Sequence, residues 1–222
     1  MTAGGGLRRF VGPRTARPPQ HTGSPSPQAD RSPRPAGSPS PQAAPSGRPG
    51  GETCDLCASP APEPHGHIVD LENRSLMCAC RPCFLLFDRD GGRFRAVPDR
   101  YLRGQALTAG EWRRLGIPVG SAFFLRGASG VAAFYPSPGG ATQCLLDLDA
   151  WAELATAHPL LADVAPDVEA ILVRDLECFL VPIDACYRLV GTIRAYWKGF
   201  DGGQEARERV DAFFADLRAR AV

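Results

Sequence analysis

Residues 54–87 read CDLCASPAPEPHGHIVDLENRSLMCACRPCFLLF, and the reading of this stretch decides the fold. It holds two Cys-x2-Cys pairs, Cys54/Cys57 and Cys80/Cys83, with 22 residues between them. A Cys-x2-Cys turn brings two sulfurs close enough to share one ion. Two such turns complete a tetrahedron of thiolates at about 2.3 Å from Zn²⁺. Four soft, anionic donors with no open position describe a structural centre rather than a catalytic one.

The residues around the pairs supply matching local structure. Segments 66–71 and 75–79 alternate apolar and polar positions on either side of Glu72-Asn73-Arg74, which predicts a β-hairpin. The second pair runs into Phe84-Leu85-Leu86-Phe87, read as a short helix with Pro82 in its first turn, where a missing N–H leaves no partner unsatisfied. A loop pair, a hairpin and a second pair entering a helix form a treble-clef or zinc-ribbon-like layout, in which the helix N-terminus favours thiolates. Few large side chains lie between Cys54 and His65. A bound metal would therefore supply the folding free energy of this module, on the order of 10 kcal/mol.

Five cysteines compete for four places. Cys78 stands two residues before Cys80 on an extended strand, so the two are expected to share one side, with Cys78 replacing Cys80 or lying beside the cluster. His65 and His67 are possible further donors, as ligands or as hydrogen-bond partners of thiolate. Pro64 before them and the hairpin after them favour surface-loop histidines. The expected metal is zinc. Iron, in a rubredoxin-type or iron–sulfur centre, is the alternative, because sulfur ligands alone do not separate the two metals. Rubredoxin-type knuckles place glycine after the second cysteine; Ala58 and Phe84 occupy those places, which favours zinc.

Outside this module the chain divides by composition. Residues 1–51 form a Pro/Gly/Ser/Arg-rich leader in which Gly-Ser-Pro-Ser-Pro-Gln-Ala occurs at 23–29 and again at 37–43. With so little apolar surface to bury, it is expected to be disordered. The four-cysteine module covers 52–98. Residues 99–222 are expected to be an α+β domain with mainly antiparallel strands and C-terminal helices. Thr108 and Glu111 have capping-box spacing and start a helix through Leu115. Strands are predicted over 119–126, 131–135, 143–148, 168–173 and 177–181, with a turn over 136–140. Asp149 is expected to cap a helix to Ala157, and Asp184 one to Trp197. A last amphipathic helix over 204–220 carries Val210, Phe213, Phe214 and Leu217 on its apolar face.

Charge and composition narrow the function classes. The net charge of +1 is uneven: the first fifty residues hold seven arginines against Asp30, and the remainder, with 18 basic and 23 acidic side chains, carries about −5. An acidic body argues against nucleic-acid binding, which needs clustered positive charge. No apolar run is long enough to cross a bilayer. Arg8-Arg9-Phe10 lacks the apolar stretch of an export signal, so a cytoplasmic protein is expected, whose eight cysteines are thiols or metal ligands. No nucleophile elbow, phosphate loop or zincin motif is present, so no catalytic residue is assigned and the chain reads as non-enzymatic. Cys144, Cys178 and Cys186 read as core thiols. Trp151, Trp197, Tyr187 and Tyr196 read as core or helix-packing residues; Tyr187, Arg188, Arg194 and Lys198 could instead line a groove for an acidic partner.

The motifs Cys54-Asp55-Leu56-Cys57, His65-Gly66-His67, Cys78-Ala79-Cys80-Arg81-Pro82-Cys83 with Leu86-Phe87, Gly116-Ile117-Pro118-Val119-Gly120, Phe134-Tyr135-Pro136-Ser137-Pro138 and Val181-Pro182-Ile183-Asp184 occur in this order. In them the chain, over about 52–222, resembles an uncharacterised, mainly actinobacterial protein family encoded alongside high-affinity uptake nickel–iron hydrogenases. The resemblance implies an accessory role in hydrogenase maturation or assembly and a protein partner such as a hydrogenase subunit or maturation factor. It carries over no catalytic residue. It marks the cluster cysteines with His65 and His67 as the positions to test.

Overall fold

The alternation over 66–79 becomes two antiparallel strands, β1 (Gly66–Asp70) and β2 (Ser75–Ala79), with His67 opposite Cys78 and Ile68 opposite Met77. The structure, a computed structural model, describes residues 52–87 and 92–222; the leader predicted over 1–51 lies outside the described residues. Asp70 closes the hairpin. Its buried carboxylate accepts the Glu72 and Asn73 N–H groups and a two-pronged contact from Arg93 at 2.9 and 2.6 Å. The Arg93 guanidinium holds this carboxyl well below the usual carboxylate range. A third strand, β3 (Phe94–Ala96), joins the other edge of β1, giving the order β2-β1-β3. The short helix α1 (Arg81–Leu86) follows the hairpin. The fully formed core of this sheet is small: Ile68, Ala79 and Ala96.

The second sheet is larger and entirely antiparallel. It consists of β4 (Leu102–Arg103), β5 (Ser121–Gly127), β6 (Gly130–Ser137), β7 (Gly140–Cys144), β8 (Glu169–Arg174) and β9 (Glu177–Pro182), in the order β4-β9-β8-β5-β6-β7. Side chains alternate faces along a strand, and the apolar run in β8 serves both. Ile171 and Val173 pack with Leu115, Trp151 and Leu154, the side of α2 (Ala109–Arg114), α3 (Leu148–Ala157) and α4 (Pro159–Ala162). Ala170 and Leu172 pack with Leu189, Phe214 and Leu217 of α5 (Ile183–Tyr196) and α6 (Gly203–Arg220). The chain is thus α+β, with antiparallel sheets and C-terminal helices. Among the described residues no helix is long and apolar enough to cross a membrane.

Several expectations are corrected. The strand predicted over 143–148 ends at Cys144, and α3 begins at Leu148 because Asp147, not Asp149, caps it, accepting the Ala150 N–H at 2.9 Å. Asp184 is no cap: Pro182 holds that position and Asp184 turns to His67 instead. Tyr187, in the first half of α5, and Trp197, at its C-terminal cap, are exposed rather than core residues, whereas Trp151 is buried. Cys178 and Cys186 are buried thiols, and Cys144 is half-buried. The capping box of Thr108 and Glu111 is present in full.

The two sheets share a seam. Val69 and Val97 from the smaller one pack with Val168 and Ile183 of the larger. Arg95 donates to the Pro166 carbonyl at 2.9 Å across the same seam.

Candidate metal centre

The first cysteine pair lies in a tight loop held at both ends. Thr53 bridges Pro60, the Cys54 N–H donates to the Ser59 carbonyl at 2.8 Å, and the Ala58 N–H donates to the Cys54 carbonyl at 2.8 Å. Asp55 fastens this loop to β2: its N–H donates to the Cys78 carbonyl at 2.9 Å, and its carboxylate accepts the Cys78 N–H at 2.7 Å. The second pair sits where β2 gives way to α1, with Cys80 at the helix cap and Cys83 within its first turn. Gly66 lets the helix settle on β1, since a Cβ there would meet the Phe84 ring at 2.3 Å.

These contacts bring four sulfurs together. Those of Cys54, Cys57, Cys80 and Cys83 all lie within 4.8 Å of one another, with Cys57 and Cys80 at 3.6 Å. Cys54 and Cys80 are buried and Cys57 is exposed. Burial pushes the Cys54 thiol up, but the backbone groups of Cys80, Cys57 and Leu56 outweigh it and bring the thiol to about 6. The side chain and backbone of Ser59 lower Cys57. Cys83 is pushed up to about 12, first by Cys57 and then by Cys80 and burial. Within the cluster Cys54 and Cys57 are thus shifted toward the thiolate and Cys83 away from it, and a cation among the sulfurs would favour the thiolate form. Such a group could hold a metal ion, and thiolate donors suit a borderline-soft one.

Cys78 does not join the four-sulfur group. The strand ends at Ala79, so the alternation that would align the two sulfurs stops between them. Cys78 lies instead with His65 and His67, all three donor atoms within 4.8 Å of one another. Burial, and after it Glu52, Asp55 and Glu63, push its thiol up to about 11. The histidines are not both surface-loop residues: His65 lies in the loop before β1 but its side chain is only 3% exposed, and His67 belongs to β1 with its side chain 25% exposed. The ring nitrogens of His65 lie 3.1 Å from Glu52 and 3.7 Å from Glu63, but the ring is not aligned for a hydrogen bond to either, and both nitrogens stay without one. His65 stands one residue before β1, and its ring meets that of His67 edge-on with centroids 4.9 Å apart.

The glycine argument also shifts. Ala58 adopts φ 58°, the left-handed conformation that glycine would favour, although it carries a side chain. The first knuckle thus has the backbone shape whose absence was inferred from its residue type.

Residues 53–221 match the family described as a family of unknown function (DUF5947). No curated protein and no solved structure matches the chain.

Proposed function

The chain belongs to DUF5947, a family of unknown function, and from this premise we propose that it is a non-enzymatic, zinc-stapled accessory protein that binds another protein. The observation that carries the reading is the meeting of four sulfurs within 4.8 Å of one another, contributed by two knuckles 22 residues apart in the chain. Cys54, Cys57, Cys80 and Cys83 are the ligands in this reading, and the treble-clef-like order of knuckle, hairpin, knuckle and helix supports a closed structural site.

The metal module offers a surface for a partner. Leu85 and Leu86 stand on α1, 51% and 72% exposed, directly after the second knuckle. Adjacent exposed leucines on a short, metal-braced helix favour docking of a protein over solvent. The partner proposed is a hydrogenase subunit or maturation factor in the cytoplasm, on the strength of the motif resemblance.

The knuckle shape at Ala58 favours a second reading, an iron–thiolate redox or carrier centre on the same four cysteines. Metal analysis with a visible spectrum separates the two. Zinc on a colourless protein supports the first reading, and iron with thiolate absorption bands overturns it. The docking reading is tested by co-purification with hydrogenase subunits from the native host. Leu85→Glu/Leu86→Glu should abolish it without loss of metal; unchanged co-purification sinks the role given to this helix.

A further inference from the structure

The hairpin brings a second set of donors together beside the sulfur cluster. His67 and Cys78 are directly paired across the antiparallel strands, so their side chains leave one face side by side. His65, two residues before His67, comes to the same face, and its ring packs edge-on to that of His67 with centroids 4.9 Å apart. The three donor atoms all lie within 4.8 Å of one another.

Two features ask for a ligand there. The His65 side chain is only 3% exposed, and although Glu52 and Glu63 approach its ring nitrogens at 3.1 and 3.7 Å, neither nitrogen makes an aligned hydrogen bond. Leaving a buried polar group without a partner is costly, and the usual resolution is an unseen partner. His67 has the support a metal ligand needs: its Nδ1 lies 2.9 Å from the Asp184 carboxylate and donates to it, and in the neutral tautomer this leaves the lone pair on Nε2. A carboxylate behind a histidine is the regular outer support of a metal-bound imidazole. Asp184 arrives from α5, 117 residues away, so the larger sheet's helix layer sets the ring.

We propose that His65, His67 and Cys78 form a second metal site, distinct from the four-sulfur cluster, which takes one late first-row transition-metal ion and keeps a fourth position open. Two imidazoles and one thiolate form a borderline donor set suited to Zn²⁺, Cu²⁺ or Ni²⁺ rather than to Mg²⁺ or Ca²⁺. Glu52 and Glu63 beside His65 add negative charge around the cation. Three protein donors leave room for water or an incoming group, as in exchangeable and catalytic sites, whereas four thiolates close the other centre. The site rests on the hairpin register and does not require the reading of the four-cysteine cluster as zinc.

The test uses the full chain with zinc bound in the cluster, titrated with Co²⁺, which binds more weakly than Zn²⁺ and so leaves the cluster zinc in place. One Co²⁺ per chain should bind, with a thiolate-to-cobalt charge-transfer band and no release of zinc. Cys78→Ser should remove the band. His65→Gln and Asp184→Asn should each weaken Co²⁺ binding at least about tenfold. The proposal is overturned if the zinc-loaded wild type takes up no Co²⁺, if zinc leaves in step with its uptake, or if His65→Gln and Cys78→Ser leave both affinity and band unchanged. Should the cluster bind no zinc at all, the proposed function fails. The second site is then still read from the share of Co²⁺ uptake that His65→Gln and Cys78→Ser remove.

Discussion

The two sheets of this protein are built to different standards of self-sufficiency. The six-stranded sheet is covered on both faces, by Ile171, Val173, Trp151 and Leu154 on one side and by Leu172, Phe179, Leu189 and Phe214 on the other. The three-stranded sheet closes over Ile68, Ala79 and Ala96, and two of those three side chains are single methyl groups. Its remaining apolar cover is only partly buried (Leu56, Met77, Phe84, Phe87 and Phe94) or comes from the seam with the larger sheet. Beside that core stand four sulfurs that could hold a metal ion, and on the proposed reading the smaller sheet gains from an ion what the larger one gains mainly from burial.

The sharpest way to break this contrast is to remove a sulfur. Cys57→Ser or Cys83→Ser should cancel most of a metal contribution on the order of 10 kcal/mol. Hydrogen exchange should then show β1 and β2 losing protection while β8 and β9 keep theirs. Both variants remaining metal-loaded with a protected hairpin would mean that the small sheet stands without the cluster.

The larger sheet has its own dependence, on a charge. Glu169 at the start of β8 is 1% exposed, and Arg100 grips it through two hydrogen bonds at 2.8 and 2.7 Å. Arg100→Met leaves that carboxylate buried with only the Ala165 N–H. The expected loss is about 3 kcal/mol, at the low end for a broken buried pair because the arginine itself is partly exposed. Unlike the cysteines, this pair should be dispensable as a unit. Arg100→Met/Glu169→Met is expected to recover most of the loss in urea denaturation, since replacing both charges with apolar groups is often neutral. A double variant no better than the single one would place the larger sheet, too, under specific polar control.

A smaller effect sits where helix meets hairpin. Gly66→Ala pushes a methyl group to 2.3 Å from the Phe84 ring, and overpacking of this kind costs about 1–3 kcal/mol. The loss should be confined to the small sheet and should lower metal affinity with it. Gly66→Ala/Phe84→Leu should regain part of both, read by thermal melting and metal competition.

How much of this was open to the sequence depends on range. The two cysteine pairs, the hairpin between them and the Thr108–Glu111 capping box are local patterns, and each stands where its spacing placed it. The choice of helix cap failed by two residues because Asp147 and Asp149 are chemically equal, and only the geometry decides which reaches an N–H. Whether Cys78 or Cys80 joins the sulfur group was open in the spacing; β2 ends between them, and it is Cys80 that stands with Cys54, Cys57 and Cys83. His67 depends on Asp184, a partner that no local window contains. The histidine pair was thus half legible: its spacing was visible, while the carboxylate that sets the His67 ring comes from a distant part of the chain.

Ala58 supplies the finest test of the contrast, because it asks whether the small sheet tolerates strain in the loop that carries its first two sulfurs. An L-residue held at φ 58° bears about 1–2 kcal/mol relative to glycine in the same conformation. Glycine in turn loosens the unfolded chain, which offsets about 0.4–1 kcal/mol of that relief. Ala58→Gly should therefore stabilise the metal-bound protein by about 0.5 kcal/mol, seen as a small rise in the melting temperature of the metal-bound module. The same substitution should leave the unfolding of the larger sheet unmoved, because Ala58 contributes nothing to either of its apolar faces. A destabilised Ala58→Gly protein would show that the loop does not hold its left-handed turn, and with it would go the backbone geometry that aims Cys54 and Cys57 at a common centre.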